Sequence, residues 1–320
     1  MICPYCYKPN RPHATVCENC LEALPSKAEL REMKKSFPKE MHRQRVAIFA
    51  RAVVVSLIVT LVYYFAINAV GILWILRFNA TIPAGISEAE YAAMYDEAFS
   101  HDSGYLDIIF SCVCVLAVAV YFAIQRRSLS EAANIRPAPS VKLGAAFVCG
   151  LTLQIPMGFI ISAIPFPQEI FDGHEALMTS RTAPLIVQML YSVILAPIIE
   201  EIFFRGIAHD RAARVMPVPI AAAVSSAGFA LIHGEPIAIL VAFACGYFLA
   251  IMYSRFETIL VPIAFHIGFN LFSFVLGFIT NDTVLLIAMA LSVVLFITSL
   301  CILFRRDTKT KSNQVNGDIQ

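Results

Sequence analysis

The sequence predicts an all-α polytopic membrane protein of about eight transmembrane helices, with a small zinc-ribbon-like knuckle at its N-terminus. Three observations lead there. The 320 residues are 58% hydrophobic and 15% charged, against about 45–50% and about 25% in an ordinary soluble domain. Long uncharged stretches recur, and a mean hydropathy of +0.72 leaves too little polar surface to clothe a water-soluble globule. Four of the nine cysteines stand in two CxxC pairs within the first 20 residues. The 24 Lys plus Arg nearly balance the 23 Asp plus Glu, for a net charge of +1. Overall charge therefore gives no reason to expect a nucleic-acid partner.

The knuckle comes first, at residues 1–24. Cys3, Cys6, Cys17 and Cys20 supply four thiolates of the kind that meet tetrahedrally around one structural Zn²⁺. The intervening Tyr7 to Val16 carries Pro9, Asn10 and Pro12 and reads as loop, with His13 as a substitute or supporting ligand. So short a segment cannot bury a core, and metal binding would supply its folding energy. The alternative is a pair of disulfides in an exported tail. Zinc is favoured because no cleavable signal peptide precedes the pairs and the next segment is basic. Residues 25–51 form that basic juxtamembrane linker, with Lys27, Arg31, Lys34, Lys35, Lys39, Arg43 and Arg45, read as a solvated tether beside an anionic leaflet. The other five cysteines lie in apolar runs and read as small packing residues.

Residues 52–304 hold the membrane domain. A span needs about 20 mainly apolar residues, and the candidates are Ala52–Leu76, Ile108–Ile124, Leu143–Ile164, Ala183–Ile199, Ile237–Tyr253, Thr258–Thr280 and Val284–Phe304, plus the shorter Ile220–Ile232. The joints test this count, because basic residues collect on the cytoplasmic side. Phe78–Tyr105 holds Glu88, Glu90, Asp96, Glu97 and Asp102, whereas the next joint holds Arg126, Arg127, Arg136 and Lys142. The alternation continues to Arg305, Arg306, Lys309 and Lys311 in the tail, residues 305–320. It predicts an integral multi-pass protein of the cell (plasma) membrane with both termini cytoplasmic, where thiols stay reduced.

Chemistry must come from the few polar groups inside the spans. Glu200 and Glu201 stand side by side in an apolar run, which is costly unless they pair or function. Arg205 follows Glu201 by four residues on the same helical face, where the two can pair. Glu200, rotated about 100° away, is left for another environment, and a carboxylate in a partly dry pocket can act as a proton acceptor near neutrality. Pro197 should kink the helix beside the acids. The ordinary alternative is a helix end whose charges meet the headgroups. Phe229 with His233, and His266 with Asn270, are each four residues apart on two further apolar segments. Asn68 and Gln154 read as packing contacts. His101-Asp102-Ser103 and Tyr95-Asp96 read as loop chemistry, and His174 and His209 receive no role. Counting from the joints puts Glu200 and His233 near opposite membrane faces. They meet only if Ile220–Ile232 is short or reentrant, or if the Glu-bearing helix stops inside the membrane.

Glu200-Glu201-xxx-Arg205, Phe229-xxx-His233 and His266-xxx-Asn270, in this order, resemble the three motifs of the CPBP intramembrane protease family, also called the CAAX prenyl protease 2 or Abi family. The resemblance covers roughly Ala183 to Thr280, the motif core 183–280, and leaves the knuckle outside. It implies hydrolysis of a peptide bond within the membrane. Glu200 would activate water with help from His233, His266 and Asn270 would stabilise the oxyanion, and Glu201 with Arg205 would tune the base. The substrate would be a membrane-associated peptide or protein, including the prenylated CAAX class, and the knuckle would be free to recruit a cytoplasmic protein. A catalytic Zn²⁺ held by the same Glu and His residues is the less favoured rival. A non-catalytic membrane scaffold or immunity protein is the reading from outside enzymology.

Overall fold

The computed structural model describes residues 3–6, 8–11, 14–33, 39–124, 126, 128, 130, 134–179, 182–276 and 281–305. His13 and the tail beyond Arg305 lie outside the described residues, as do Lys34 and Lys35 of the linker. The elements are helices: α1 Lys27–Met33, α2 Lys39–Asn79, α3 Glu88–Ile124, α4 Ser140–Ser162, α5 Gln168–Thr179, α6 Leu185–Ala213, α7 Val218–Leu231, α8 Pro236–Phe256, α9 Leu260–Leu276 and α10 Asp282–Phe304. Among the described residues the nearest thing to sheet is one antiparallel bridge between Val16 and Ala23, which closes the knuckle.

Among the described residues six helices, α2, α3, α4, α6, α8 and α10, are long and apolar enough to cross a membrane, and α7 and α9 are the shorter apolar pair. All eight expected segments are therefore helical. Large side chains such as Leu73, Ile186, Leu116 and Val294 are more than half exposed on the outside of the bundle. That is the surface a bilayer requires and water penalises.

Three boundaries differ from the sequence reading, each for a physical reason. The linker is helical from Lys39 and runs without interruption into the first span. The acidic joint after it is largely helix, since α3 starts at Glu88 and carries Asp96 and Asp102 within it. Asp102 accepts a 2.9 Å hydrogen bond from the Trp74 indole and meets His101 Nδ1 at 2.9 Å, so these residues fasten α2 to α3. The Glu-bearing helix continues to Ala213 instead of ending at Ile199. Hydropathy undervalues its middle because the charges there neutralise one another inside the protein.

Close backbone packing brings the late helices together. A Cβ on Gly150 of α4 would collide with the Phe265 carbonyl of α9, and one on Gly268 of α9 would collide with the Phe147 carbonyl of α4. Only hydrogen fits at this crossing, the usual device for joining helices in lipid. It seats α9, which carries His266 and Asn270, against α4. Lys142, counted above as a joint charge, lies 5% exposed in the first turn of α4. Its ammonium donates to the carbonyls of Ile302, Leu303 and Arg305 at 3.0, 3.1 and 2.8 Å. A cation thus satisfies the orphan acceptors at the C-terminus of α10.

Candidate active site

α6 is not a uniform α-helix. Leu190–Leu195 and Glu201–His209 are π-helical, and the α-helical turn Ala196–Glu200 lies between them with Pro197 near its start. The expected distortion at Pro197 therefore takes the form of a widened turn before it. Wide turns of this kind concentrate at functional sites. Glu200 and Glu201 fall near the middle of the 29-residue helix, buried to 7% and 0% exposure.

Glu201 pairs with Arg205 at 2.9 Å, with both side chains fully enclosed. Arg205 is held from three sides. Its Nη2 donates to the Gly246 carbonyl at 3.1 Å, and its guanidinium lies 4.5 Å above the Phe229 ring. The absence of a side chain at Gly246 makes the room: a Cβ there would sit 2.9 Å from Phe229 and 3.2 Å from the guanidinium. The third contact, Glu201, leaves this charge both neutralised and stacked, which is what a buried arginine needs.

His266 joins the two acids. Its Nδ1 lies 3.0 Å from Glu201 Oε1, and its Nε2 lies 3.6 Å from Glu200 Oε2. Glu200 also accepts a 3.2 Å hydrogen bond from the Tyr63 hydroxyl of α2. His233 turns its Nδ1 to the Phe229 carbonyl at 2.8 Å. That bond makes Nδ1 the protonated nitrogen and leaves Nε2 as the acceptor. The Phe229 ring is edge-on to both imidazoles, at 4.8 Å from His233 and 6.0 Å from His266. Asn270 donates from Nδ2 to the Ser192 carbonyl at 2.7 Å, within the first wide turn of α6. The amide's second N–H is not used by that bond.

The distance problem posed by the sequence is resolved by helix length. At 1.5 Å per residue the 14-residue α7 is about 21 Å long, short of the ~30 Å hydrocarbon core. Its C-terminal end meets α6 directly, with the Phe229 ring 4.5 Å from the Arg205 guanidinium, and His233 follows in the turn after the helix. A cavity of about 450 Å³ opens beside these groups, lined by His233, His266, Asn270 and Gln154 and otherwise mostly by apolar side chains. Glu200 does not line this space but lies 3.6 Å from His266, which does.

Several contributors escaped the sequence reading. Tyr63 touches Glu200, yet in the apolar run Tyr63-Tyr64 nothing distinguishes it from its neighbour. Gln154 does more than pack, since it lines the cavity and donates to Ser273 at 2.9 Å. His174 of α5 lines the same cavity and meets Glu235 at 2.8 Å. His209 is buried against Ser254 at 2.7 Å and Tyr253. The contact of Asn68, read above as packing, is internal to its helix, with its amide donating to the Tyr64 carbonyl.

The knuckle forms the second site. The Sγ atoms of Cys3, Cys6, Cys17 and Cys20 all lie within 4.8 Å of one another, with Cys3–Cys20 at 3.7 Å and Cys6–Cys17 at 3.6 Å. Four sulfurs at 2.3 Å from a tetrahedral Zn²⁺ would be about 3.8 Å apart, so the thiols fit such an ion. The amides of Tyr5 and Asn19 point at Cys3 and Cys17 sulfur at 3.4 Å. Burial alone would push the Cys17 thiol up, but the N–H groups of Cys20 and Asn19 and the neighbouring thiols bring it down to about 6. A thiol so poised gives up its proton readily to a metal. Among the described residues this is the one His, Cys, Asp and Glu group whose donor atoms are mutually this close. Glu200, His233 and His266 are not gathered in that way. The knuckle also rests on the membrane domain, with Glu18 paired to Arg214 at 3.2 Å.

Residues 182–272 match the family model for type II CAAX prenyl endopeptidase Rce1-like proteins. This stretch is similar to that family. It contains all seven residues of the three motifs, from Glu200 to Asn270. No curated protein and no solved structure gives a match. The Rce1-like segment ends short of the knuckle, which is an addition to it.

Proposed function

We propose that the protein is an intramembrane endopeptidase that cleaves a membrane-associated protein or peptide, including the prenylated CAAX class, with water activated by Glu200. One observation carries this reading above the others. His266 stands between the two glutamates, so that carboxylates, guanidinium, imidazole and phenol from α2, α6 and α9 form one connected group. In a dry interior Arg205 offsets Glu201, the condition on which a buried carboxylate is tolerated.

The reaction needs a base, an oxyanion stabiliser and an acid. Glu200 takes a proton from water as its oxygen attacks the scissile carbonyl carbon, and Tyr63 and His266 hold the carboxylate in place. The second N–H of Asn270 donates to the developing oxyanion, while His266 stays committed to the two carboxylates. His233, with Nε2 free, assists the water. Collapse of the intermediate breaks the C–N bond, and the proton held by Glu200 passes to the leaving amine. A positioned base contributes about 10²–10⁴-fold, and preorganised donors in a low-dielectric site contribute a few kcal/mol. Glu200, His233 and His266 do not gather their donor atoms within 4.8 Å of one another as the knuckle cysteines do, which supports the metal-free reading.

The test is cleavage of a membrane-associated peptide by the purified protein. Glu200→Gln, His233→Ala and His266→Ala should each abolish it while insertion and yield stay normal. Full activity in Glu200→Gln would end the proposal. Chelation of the full-length chain in which Cys3, Cys6, Cys17 and Cys20 are replaced by Ser should leave activity unchanged if the core works without metal.

A further inference from the structure

The cavity has a wall that the motifs do not supply. α5 is a 12-residue helix between two spans, bounded by Pro165 and Pro167 before it and Pro184 after it. One of its faces is exposed, with Glu169, Asp172 and Glu175, while Ile170, Phe171 and His174 are half-buried against α8. Phe171 and His174 line the 450 Å³ space opposite His266 and Asn270. The contact that fixes this helix is polar: His174 Nδ1 meets Glu235 Oε2 at 2.8 Å.

Glu235 is itself heavily committed. Its carboxylate accepts from the amides of Ile237 at 2.9 Å and Ala238 at 2.8 Å, capping α8. Its own amide donates to the His233 carbonyl at 2.9 Å, across a turn in which Gly234 has φ +73. The chain from α5 to His233 is thus continuous: His174, Glu235, the backbone of the 233–235 turn, and the imidazole that lines the cavity.

We propose that α5 is a hinged cover over the cavity, and that the His174–Glu235 contact is its latch and also positions His233. Both residues are positioning residues in this scheme, and neither touches the reacting atoms. The part concerning His233 rests on the protease reading above, whereas the cover stands apart from it. α5 has the form of a cover, being short, amphipathic and flanked by proline-bearing joints, with the His174–Glu235 contact holding it to the start of α8. An apolar segment arriving from the bilayer would pass beneath Phe171 to reach the imidazoles.

Cys245 makes the cover observable without any cleavage assay, because it lines the cavity at 6% exposure, while Cys149 is fully buried in the core between α4, α8, α9 and α10 and does not line the cavity. Purified full-length protein is treated with N-ethylmaleimide, and labelling of each cysteine is followed by peptide mass spectrometry. His174→Phe, which keeps the bulk and removes the contact, should speed labelling of Cys245 about tenfold and leave Cys149 unchanged, as expected for loss of ~1.4 kcal/mol of latching. His174→Asn, whose amide nitrogen replaces Nδ1, should restore the native rate. With a cleavable peptide, His174→Phe should lower kcat about tenfold with KM within about threefold, again rescued by Asn. An unchanged Cys245 rate in His174→Phe, or equal acceleration at Cys149, overturns the cover. Labelling that behaves as described alongside full activity in Glu200→Gln would retain the cover and discard the protease reading.

Discussion

Glu201–Arg205 and Asp210–Arg214 are the same device made twice on one stretch of chain. Each is an acid followed four residues later by an arginine, and each closes at 2.9 Å. The first has side-chain exposures of 0% and 1%, and the second 16% and 15%. The inner pair is enclosed by Phe229, Gly246 and His266, and it holds a charge that has nowhere else to go. The outer pair reaches the knuckle through Glu18 and the Tyr253 hydroxyl through Asp210 at 3.2 Å. Spacing alone is therefore a poor guide to importance. The surroundings decide whether a pair is a fastening at the rim or part of the proposed active site.

The largest contrast should come from removing one partner of each. Arg205→Met strands a buried carboxylate and should lower stability by about 3–5 kcal/mol, enough to prevent purification. Arg214→Met should cost within about 1 kcal/mol, because its partners are reached by solvent. Thermal unfolding in detergent would compare the two, and equal losses would break the contrast. Combining Glu201→Gln with Arg205→Met should recover part of the loss, since no lone charge then remains.

A step lower, Gly246→Ala should press on Phe229 and the guanidinium and destabilise by about 1–3 kcal/mol, read as a lowered unfolding midpoint. Tyr63→Phe removes one hydrogen bond to Glu200. Its stability loss should be about 1 kcal/mol, while kcat on a cleavable peptide falls about tenfold. Smallest of all, Glu18→Gln should leave unfolding within about 1 kcal/mol of native but loosen the knuckle, seen as faster proteolysis within residues 3–24. Chelation should give a much greater acceleration there and leave the inner pair untouched.

These contrasts also mark what the sequence could convey. The eight apolar segments were legible because hydropathy reports long runs directly, and the three motif pairs were legible because four-residue spacing survives in a helix. The end of α6 was not, since Glu200, Glu201 and Arg205 read as the start of a joint when they are neutralised inside the bundle. Tyr63 and the carbonyls of Ser192 and Gly246 were also hidden. Their roles depend on which helix lies beside which, and nothing in the local run of residues records that. His174 fell outside every span, and its contact with Glu235 joins positions 61 residues apart. Lys142 was counted as a sidedness marker when its work is to close the end of α10.

The two wide turns of α6 set the rotational phase of everything the helix displays. Each accommodates one more residue than a regular turn, so deleting Ile194 would let the first relax to ordinary winding and swing the parts on either side by about 100° relative to each other. The acids would keep their depth in the bilayer and still face the wrong neighbours. Substitutions across this region are graded in their effects, but a change in chain length there acts as a switch, and frame-preserving indels between residues 190 and 195 should be the least tolerated in the molecule.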